Sequence, residues 1–194
     1  MRESNRARLR VRLLLAALAA MFALAGMAAS VTQRQTQAGG IENFGKVNEN
    51  YYRGAQPTAE GFAELKKLGI KTVINLRKDS EPEEPEWVRA QGMQYFNIPL
   101  RASRPATAEQ TEYFLKLVND PNNWPVFVHC EGGRHRTGAL SAVYRITHDG
   151  WTADQAYDEM KSYGFNRGFF GGPASQKNFV YKFYERRTIE AGQR

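Results

Sequence analysis

Residues 126–138 read VFVHCEGGRHRTG, an apolar strand pattern that runs into a short glycine-containing loop and then into the start of a helix. The stretch contains Cys130, the single cysteine among the 194 residues. This order places the loop at the carboxyl end of a strand, where open α/β sheets bind ligands. At this position Cys130 is either a buried structural thiol or a nucleophile.

The segments on both sides of this stretch alternate between strand and helix patterns. Strands are predicted for YYRG at 51–54, IKTVINL at 70–76, MQYFNIPL at 93–100 and VFVH at 126–129. Helices are predicted after Thr58 and Thr107, from Thr137 to Gly150, and near 152–163 and 174–190. We therefore predict an α/β fold with a single domain over 44–190, in which helices flank a central, mainly parallel sheet of four to five strands.

The first thirty residues have the pattern of an export leader. An arginine-rich start precedes the apolar run from Leu13 to Ala29, and a polar stretch follows Ser30. We predict a signal peptide or N-terminal membrane anchor over 1–30 and a linker over 31–43. Positive charge before an apolar run stays cytoplasmic, so the domain should be exported to the periplasm or another extracytoplasmic space. An uncleaved leader would attach it to the inner membrane through residues 9–30.

Charge and cysteine content exclude several classes of function. The net charge is +7, but the leader holds five arginines against one glutamate, which leaves the rest only mildly basic. Nucleic-acid binding is not expected, because its electrostatic footprint should lie on the folded body. One cysteine cannot form an intramolecular disulfide, and one cysteine with three histidines does not indicate a cysteine-rich metal site. We expect no metal and no cofactor.

The loop after Cys130 has the chemistry of an anion site. A glycine-containing loop that leads into a helix turns backbone N–H groups inward, and the helix dipole adds positive potential. Such a field favours a thiolate over a thiol. Arg136 adds a planar guanidinium that matches two phosphate oxygens. Together these groups predict a site in which a thiolate attacks phosphorus.

The motif HCEGGRHRTG resembles the H-C-x5-R-[ST]-G signature of the cysteine-dependent protein tyrosine phosphatase superfamily. The flanking YYRGAQP, TVINLR and NIPL resemble compact dual-specificity phosphatases, especially the atypical group shared by bacteria, plants and fungi. This likeness covers roughly 44–184. It implies a phosphatase that hydrolyses phosphate monoesters through a phosphocysteine intermediate, acting on a phosphorylated protein or a small polyanionic phosphate.

The resemblance also implies roles for individual residues. Cys130 would be the nucleophile, and Thr137 would donate its hydroxyl to the sulfur when the sulfur leaves. Arg136 would hold the phosphate oxygens together with the loop amides. His129 would order the loop and help to keep the thiolate. The loop amides in question belong to Glu131, Gly132, Gly133, Arg134, His135 and Arg136.

One part of the family pattern is missing. Related enzymes carry an aspartate general acid about thirty residues before the cysteine, but NIPLRASRP at 97–105 contains no carboxylate. Asp79, after the strand at 70–76, is our first candidate because it should lie at the ligand end of the sheet. Glu81, Glu83 and Glu84 follow it in what we expect to be a solvated acidic loop. Glu131 is close to the cysteine, but its side chain could equally point outward.

The predicted strand ends carry arginines where the acid is missing. We predict that they touch a substrate with several anionic groups: Arg77, Arg101, Arg104 and Arg167, with Arg134 and His135 in the loop. The alternatives that stay open are a phosphatase of inositol polyphosphates or phospholipid head groups, a non-catalytic phosphate-binding module, and a rhodanese-like sulfurtransferase.

Overall fold

A computed structural model of the chain describes residues 40–165 and 172–193, which belong to one compact unit. Its sheet has five strands: β1 Gly45–Asn48, β2 Tyr51–Gly54, β3 Thr72–Arg77, β4 Gln94–Leu100 and β5 Val126–His129. Their spatial order is β1-β2-β5-β3-β4, and all neighbours are parallel except β1 and β2. This confirms the predicted mainly parallel sheet.

The described residues also form six helices: α1 Ala59–Lys67, α2 Glu84–Ala90, α3 Ala108–Asn119, α4 Arg136–His148, α5 Ala153–Ser162 and α6 Gly172–Gly192. A 3-10 turn, Pro121–Asn123, precedes β5. Thr58 and Thr107 cap α1 and α3 as predicted, because each hydroxyl accepts a backbone N–H of the first turn. Thr107 forms a full capping box with Gln110.

The core lies on both faces of β3 and β5, whose residues are all buried. On one face α1 and α2 contribute Phe62, Leu65 and Val88, which pack with residues of the sheet. On the other face α3 and α4 contribute Phe114 and Leu140. The remaining two helices, α5 and α6, pack against α4. Burial on both faces explains why these strands have continuous apolar sequences.

Two features differ from the sequence-based prediction. The strand β1 was not predicted; it pairs with β2 across a tight connection with an irregular register. Folded structure also begins before the expected boundary at Phe44, since Ile41 is buried in the same cluster as Phe62. The predicted leader lies outside the described residues. No helix within the described ranges has the length and apolarity needed to cross a membrane.

The strand order decides where the site forms. Because β5 lies between β2 and β3, the residues that follow these three parallel strands meet at one edge of the sheet. Gly54 pairs with His129 in register on one side, and Asn75 pairs with His129 on the other. Cys130 therefore leaves the sheet with a strand end on each side.

Candidate active site

Cys130 sits in the loop between β5 and α4 and is 3% exposed. Arg136, the first residue of α4, is 4% exposed and lies six positions further along the loop. The N-terminus of α4 thus adjoins the cysteine loop, and its free N–H groups add positive potential there.

Three consecutive carbonyl groups of the loop are tied to the surrounding scaffold. The Glu131 carbonyl accepts from the Gln56 backbone N–H at 3.0 Å. The Gly132 carbonyl accepts from Asn43 Nδ2 at 2.7 Å, and the Gly133 carbonyl accepts from Arg53 Nη2 at 2.8 Å. In a trans peptide the N–H points opposite to the C=O of the same unit. The N–H groups that follow these carbonyls therefore turn away from the scaffold and toward the centre of the loop, which makes an anion cradle.

Gly133 is the residue that lets the loop approach β2. Its φ is +64°, and a Cβ placed there would lie 2.6 Å from the Gly54 carbonyl carbon and 2.7 Å from the Ala55 nitrogen. Gly132 differs, because a Cβ there would contact only the Arg134 side chain at 3.9 Å. Of these two glycines, only Gly133 has a positive φ.

Two carboxylates flank the Arg136 guanidinium at the mouth of the loop. Asp79 Oδ1 lies 3.6 Å from Nη1, and Glu131 Oε2 lies 3.6 Å from Nη2. Both carboxylates are exposed, whereas the guanidinium is buried. The carbonyl of Leu100, the last residue of β4, accepts from Nη1 at 3.3 Å and helps to fix the guanidinium. Asp79, the predicted acid, thus lies at the site, and Glu131 does not point away from it.

Thr137 and His129 lie within the buried base of the site. Thr137 is fully buried, and its hydroxyl has no hydrogen-bond partner among the described residues. His129 is also fully buried and contacts Glu84 through Nε2 at 2.8 Å. We expected Glu84 in a solvated acidic loop, and this was wrong: it is buried at the first turn of α2.

Comparison with known proteins gives the family. The sequence profile described as "DSP-PTPase phosphatase fused to NAD+ Kinase" matches residues 25–180. The chain belongs to this DSP-PTPase family. It is therefore a cysteine-dependent phosphatase, and the sulfurtransferase alternative no longer applies.

Named relatives differ in what they act on. The dual specificity protein phosphatase TpbA of Pseudomonas aeruginosa is 32% identical over 162 residues, which cover 80% of this chain and 73% of TpbA. The inositol diphosphatase SIW14 of Saccharomyces cerevisiae is 26% identical over 130 residues, which cover 64% of this chain and 46% of SIW14.

Solved structures of the same two proteins share the fold. The crystal structure of TpbA superposes with a TM-score of 0.62 at 30% identity, over 74% of this chain and 85% of TpbA. The SIW14 catalytic core superposes with a TM-score of 0.65 at 23% identity, over 78% of this chain and 94% of that core.

The four arginines outside the loop that we predicted to touch substrate differ from one another in burial and in their contacts. Arg77 is mostly buried and binds Gln56 and the Asp79 carbonyl, so its guanidinium is already engaged. Arg101 and Arg104 are exposed in the turn after β4. Arg167 lies outside the described residues.

The two remaining loop residues that we placed against substrate contact protein groups. Arg134 Nη2 lies 3.8 Å from a Glu42 carboxylate oxygen. His135 Nε2 lies 2.7 Å from the Phe165 carbonyl, which ties the loop to the end of α5. Within the described ranges, no three His, Cys, Asp or Glu side chains group closely enough to hold a metal ion.

Two residues that position the DSP-PTPase loop were not predicted as part of the site. Asn43 was assigned to the linker, yet it has φ +50° and donates to the loop. Arg53, in YYRGAQP, is fully buried beneath the loop, and its guanidinium stacks on the Tyr163 ring at 3.8 Å. The sequence signal was an arginine in a short strand beside a Gly–Pro turn. Arginine is seldom buried without a partner, so a buried position for Arg53 would have indicated a nearby acceptor.

Proposed function

We propose that this DSP-PTPase hydrolyses phosphate monoesters through a phosphocysteine intermediate, with Cys130 as the nucleophile and Asp79 as the general acid. The observation that carries the proposal is the loop itself. Its three carbonyls are bound to the scaffold, so successive N–H groups face the centre of the loop beside the buried Cys130, and Arg136 lies at the same loop.

The reaction has two displacements. The Cys130 thiolate attacks phosphorus, the bond from phosphorus to the leaving oxygen breaks, and Asp79 gives its proton to that oxygen. Asp79, now a carboxylate, then takes a proton from water as the water oxygen attacks the phosphocysteine. The P–S bond breaks, inorganic phosphate leaves, and the thiolate returns with a hydrogen bond from Thr137. Arg136 and the loop N–H groups stabilise the equatorial oxygens in both steps.

Hydrolysis of para-nitrophenyl phosphate across pH tests these assignments. We expect Cys130→Ser to abolish turnover and Asp79→Asn to remove the basic limb of the kcat profile with a loss of about 10²-fold. Glu83→Gln is the matched control, because Glu83 is an exposed carboxylate in the same segment. If Asp79→Asn matches this control, Asp79 is not the acid, and Glu131→Gln becomes the next variant. A wild type that binds vanadate but never turns over any phosphate would instead be a phosphate-binding module.

For the substrate, we propose a polyanion that carries a further phosphate or carboxylate next to the scissile phosphate. Arg101 directly follows Leu100, whose carbonyl lies 3.3 Å from Arg136 Nη1, so its backbone adjoins the site. The Arg104 N–H donates to the Arg101 carbonyl at 3.3 Å, so a tight turn brings the two residues together. Neither side chain forms an ion pair with another described residue. Two free exposed cations beside an anion cradle favour a substrate with more than one anionic group.

Relatives support two substrate classes. SIW14 and several plant relatives are named inositol diphosphatases, which fits the polyanion proposal. TpbA is named a dual specificity protein phosphatase, and its structure has been solved with phosphotyrosine. Phosphotyrosine in an acidic peptide is therefore the second candidate, supported by the higher identity to TpbA.

A double variant separates these candidates. We expect Arg101→Ala with Arg104→Ala to raise KM about tenfold for an inositol pyrophosphate and to leave KM for para-nitrophenyl phosphate unchanged. Arg89→Ala, which removes an exposed arginine from the end of α2, is the control. Equal effects on both substrates would contradict the polyanion proposal. High kcat/KM on phosphotyrosine peptides, with no turnover of inositol pyrophosphates, would favour the second candidate.

We also propose that the enzyme acts outside the cytoplasm. The support is the arginine-rich start and the apolar run from Leu13 to Ala29. Cell fractionation with N-terminal sequencing tests this. A periplasmic protein that begins near residue 31 would indicate a cleaved signal peptide, and a membrane-bound protein that begins at Met1 would indicate an anchor. Recovery of the intact chain in the cytoplasmic fraction would contradict export.

A further inference from the structure

A buried carboxylate lies directly behind the strand that carries the nucleophile. Glu84 and His129 are both fully buried, and Glu84 Oε1 lies 2.8 Å from His129 Nε2. Within the described residues no Lys or Arg nitrogen lies within ion-pair distance of Glu84. A buried carboxylate without a cationic partner is costly, and His129, when protonated, is the group in contact with it that can supply the opposite charge.

The hydrogen bonds fix the donor and acceptor roles around Glu84. Its second oxygen accepts from Asn75 Nδ2 at 2.6 Å and from Gln56 Nε2 at 3.1 Å. Hydrogen bonds from Arg77 set the orientation of both amides. Asn75 Oδ1 accepts from the Arg77 backbone N–H, and Gln56 Oε1 accepts from Arg77 Nη1. Their nitrogens therefore face Glu84, and the two hydrogen bonds that this oxygen accepts suit an ionised carboxylate.

The contacts of His129 suit a ring that donates from both nitrogens. Its Nδ1 faces the Cys130 carbonyl oxygen at 3.4 Å, and a carbonyl can only accept. Its Nε2 faces the Glu84 Oε1 oxygen, which only accepts when the carboxylate is ionised. These contacts accommodate a doubly protonated ring, in which both nitrogens donate and the pair is neutral as a whole. A neutral ring beside an ionised Glu84 would instead place a net negative charge next to the cysteine.

We propose that Glu84 is a positioning residue for the nucleophile: it holds His129 as an imidazolium next to Cys130, and that positive charge favours the thiolate. The inference rests on Cys130 being the nucleophile. The same carboxylate is joined through Gln56 to Arg77, which binds the Asp79 carbonyl, so one buried network connects the nucleophile strand to the acid segment.

The other ionisable groups near the pair do not replace its charges. Tyr95 reaches Asn75 at 3.1 Å, and burial together with the negative charge of Glu84 raises the pKa of Tyr95, so its hydroxyl stays neutral. Arg77 contacts the network only through Gln56 and Asn75. The remaining ring contacts of His129 are with Phe62 and Phe127, which carry no charge.

The rate of Cys130 alkylation by iodoacetamide as a function of pH tests the inference without requiring turnover. Glu84→Gln removes the negative charge beside His129, so the imidazole ring loses a proton. The positive charge that favours the Cys130 thiolate is then absent. We expect the half-maximal pH of alkylation to rise by about one unit. The kcat/KM for para-nitrophenyl phosphate should fall about tenfold at pH 6 and less at pH 8, where the thiol ionises without help. Glu86→Gln, an exposed glutamate on the same helix, should leave the profile unchanged.

A double-variant cycle shows whether Glu84 acts through the histidine. With His129→Gln in place, Glu84→Gln should add no further shift in the alkylation profile. An additional shift of the same size would mean that Glu84 acts independently of His129. Circular dichroism at each pH confirms that the compared variants are folded.

A second measurement uses the wild type and does not depend on whether a variant folds. In protein labelled with ¹⁵N-histidine, His129 should give the resonances of a doubly protonated ring at pH 7, assigned by their absence in His129→Gln. A neutral-imidazole signature for His129 would overturn the proposal. So would an alkylation profile of folded Glu84→Gln that superimposes on the wild type. If the wild type turns over no phosphate ester, but Glu84→Gln still raises the half-maximal pH of Cys130 alkylation, only the proposed phosphatase mechanism is contradicted.

Discussion

Replacement of Gly133 by alanine is the most direct test of how the loop is built. At φ +64° an alanine enters the left-handed region, which costs about 1–2 kcal/mol. The new Cβ would also lie 2.6–2.7 Å from three backbone atoms of Gly54 and Ala55. Those atoms end a strand that pairs with β5, so neither side can move without loss of the register.

The expected loss follows from these two effects. Overpacking against backbone adds about 1–3 kcal/mol, so the free energy of unfolding should fall by about 2–5 kcal/mol in total. Relief of the contact requires a displacement of about 1 Å, and a misplacement of that size in a site can cost about 10²-fold in kcat. Gly132→Ala is the matched control in the same loop, because its Cβ would meet only a flexible side chain at 3.9 Å.

Urea unfolding and hydrolysis of para-nitrophenyl phosphate measure both quantities. We expect Gly132→Ala to stay within about 0.5 kcal/mol of the wild type. The reasoning would be refuted if Gly133→Ala unfolded at the same urea concentration as Gly132→Ala and kept the same kcat. A loss of stability without a loss of kcat would refute only the link between the glycine and the geometry of the cradle.

Three further predictions concern the scaffold. Asn43→Gly keeps the left-handed backbone but removes the hydrogen bond to Gly132, so kcat should fall about fivefold, corresponding to about 1 kcal/mol; an unchanged kcat would show that this bond does not hold the loop. Arg53→Met removes a buried cation that has two nitrogens without partners among the described residues, so stability should change by less than about 1 kcal/mol while kcat falls about tenfold. Chemical denaturation paired with kinetics checks this, and an equal fall in both would contradict it. Burial alone would raise the pKa of Asp149, but hydrogen bonds led by that from Arg145 hold it below its usual value. Asp149→Asn should therefore destabilise the protein by about 1 kcal/mol at pH 7 and have progressively less effect as the pH falls below about 4, and thermal unfolding at pH 7 and pH 3 would show it.

Much of the fold and the loop chemistry could be predicted from local sequence. Continuous apolar runs identified β3 and β5, and threonine caps identified the starts of α1 and α3. The motif at 129–138 identified the loop between strand and helix. These features depend on residues that are neighbours in the chain, and so the pattern alone contains them.

The residues that were missed depend on distant parts of the chain. Glu84 lies among prolines and acids, a pattern typical of a solvated loop. Its burial depends on His129, 45 positions away, and on the amides of Asn75 and Gln56. Asn43 follows a polar, glycine-containing stretch, and its partner is 89 positions away. The strand β1 is short and lies at an edge, where a periodic pattern is too brief to detect.

The central place of β5 also governs how the enzyme must fold. Until β5 is in place, β2 and β3 have no contact with each other within the sheet, so the chain up to Asn123 can form only two separate strand pairs. Both parallel pairings of β5 join segments more than fifty residues apart, and pairings of that kind form slowly. The cradle around Cys130 needs β2 on one side and β3 on the other. The cradle can therefore assemble only after β2, β3 and β5 have paired, and partly folded molecules lack the site that surrounds Cys130.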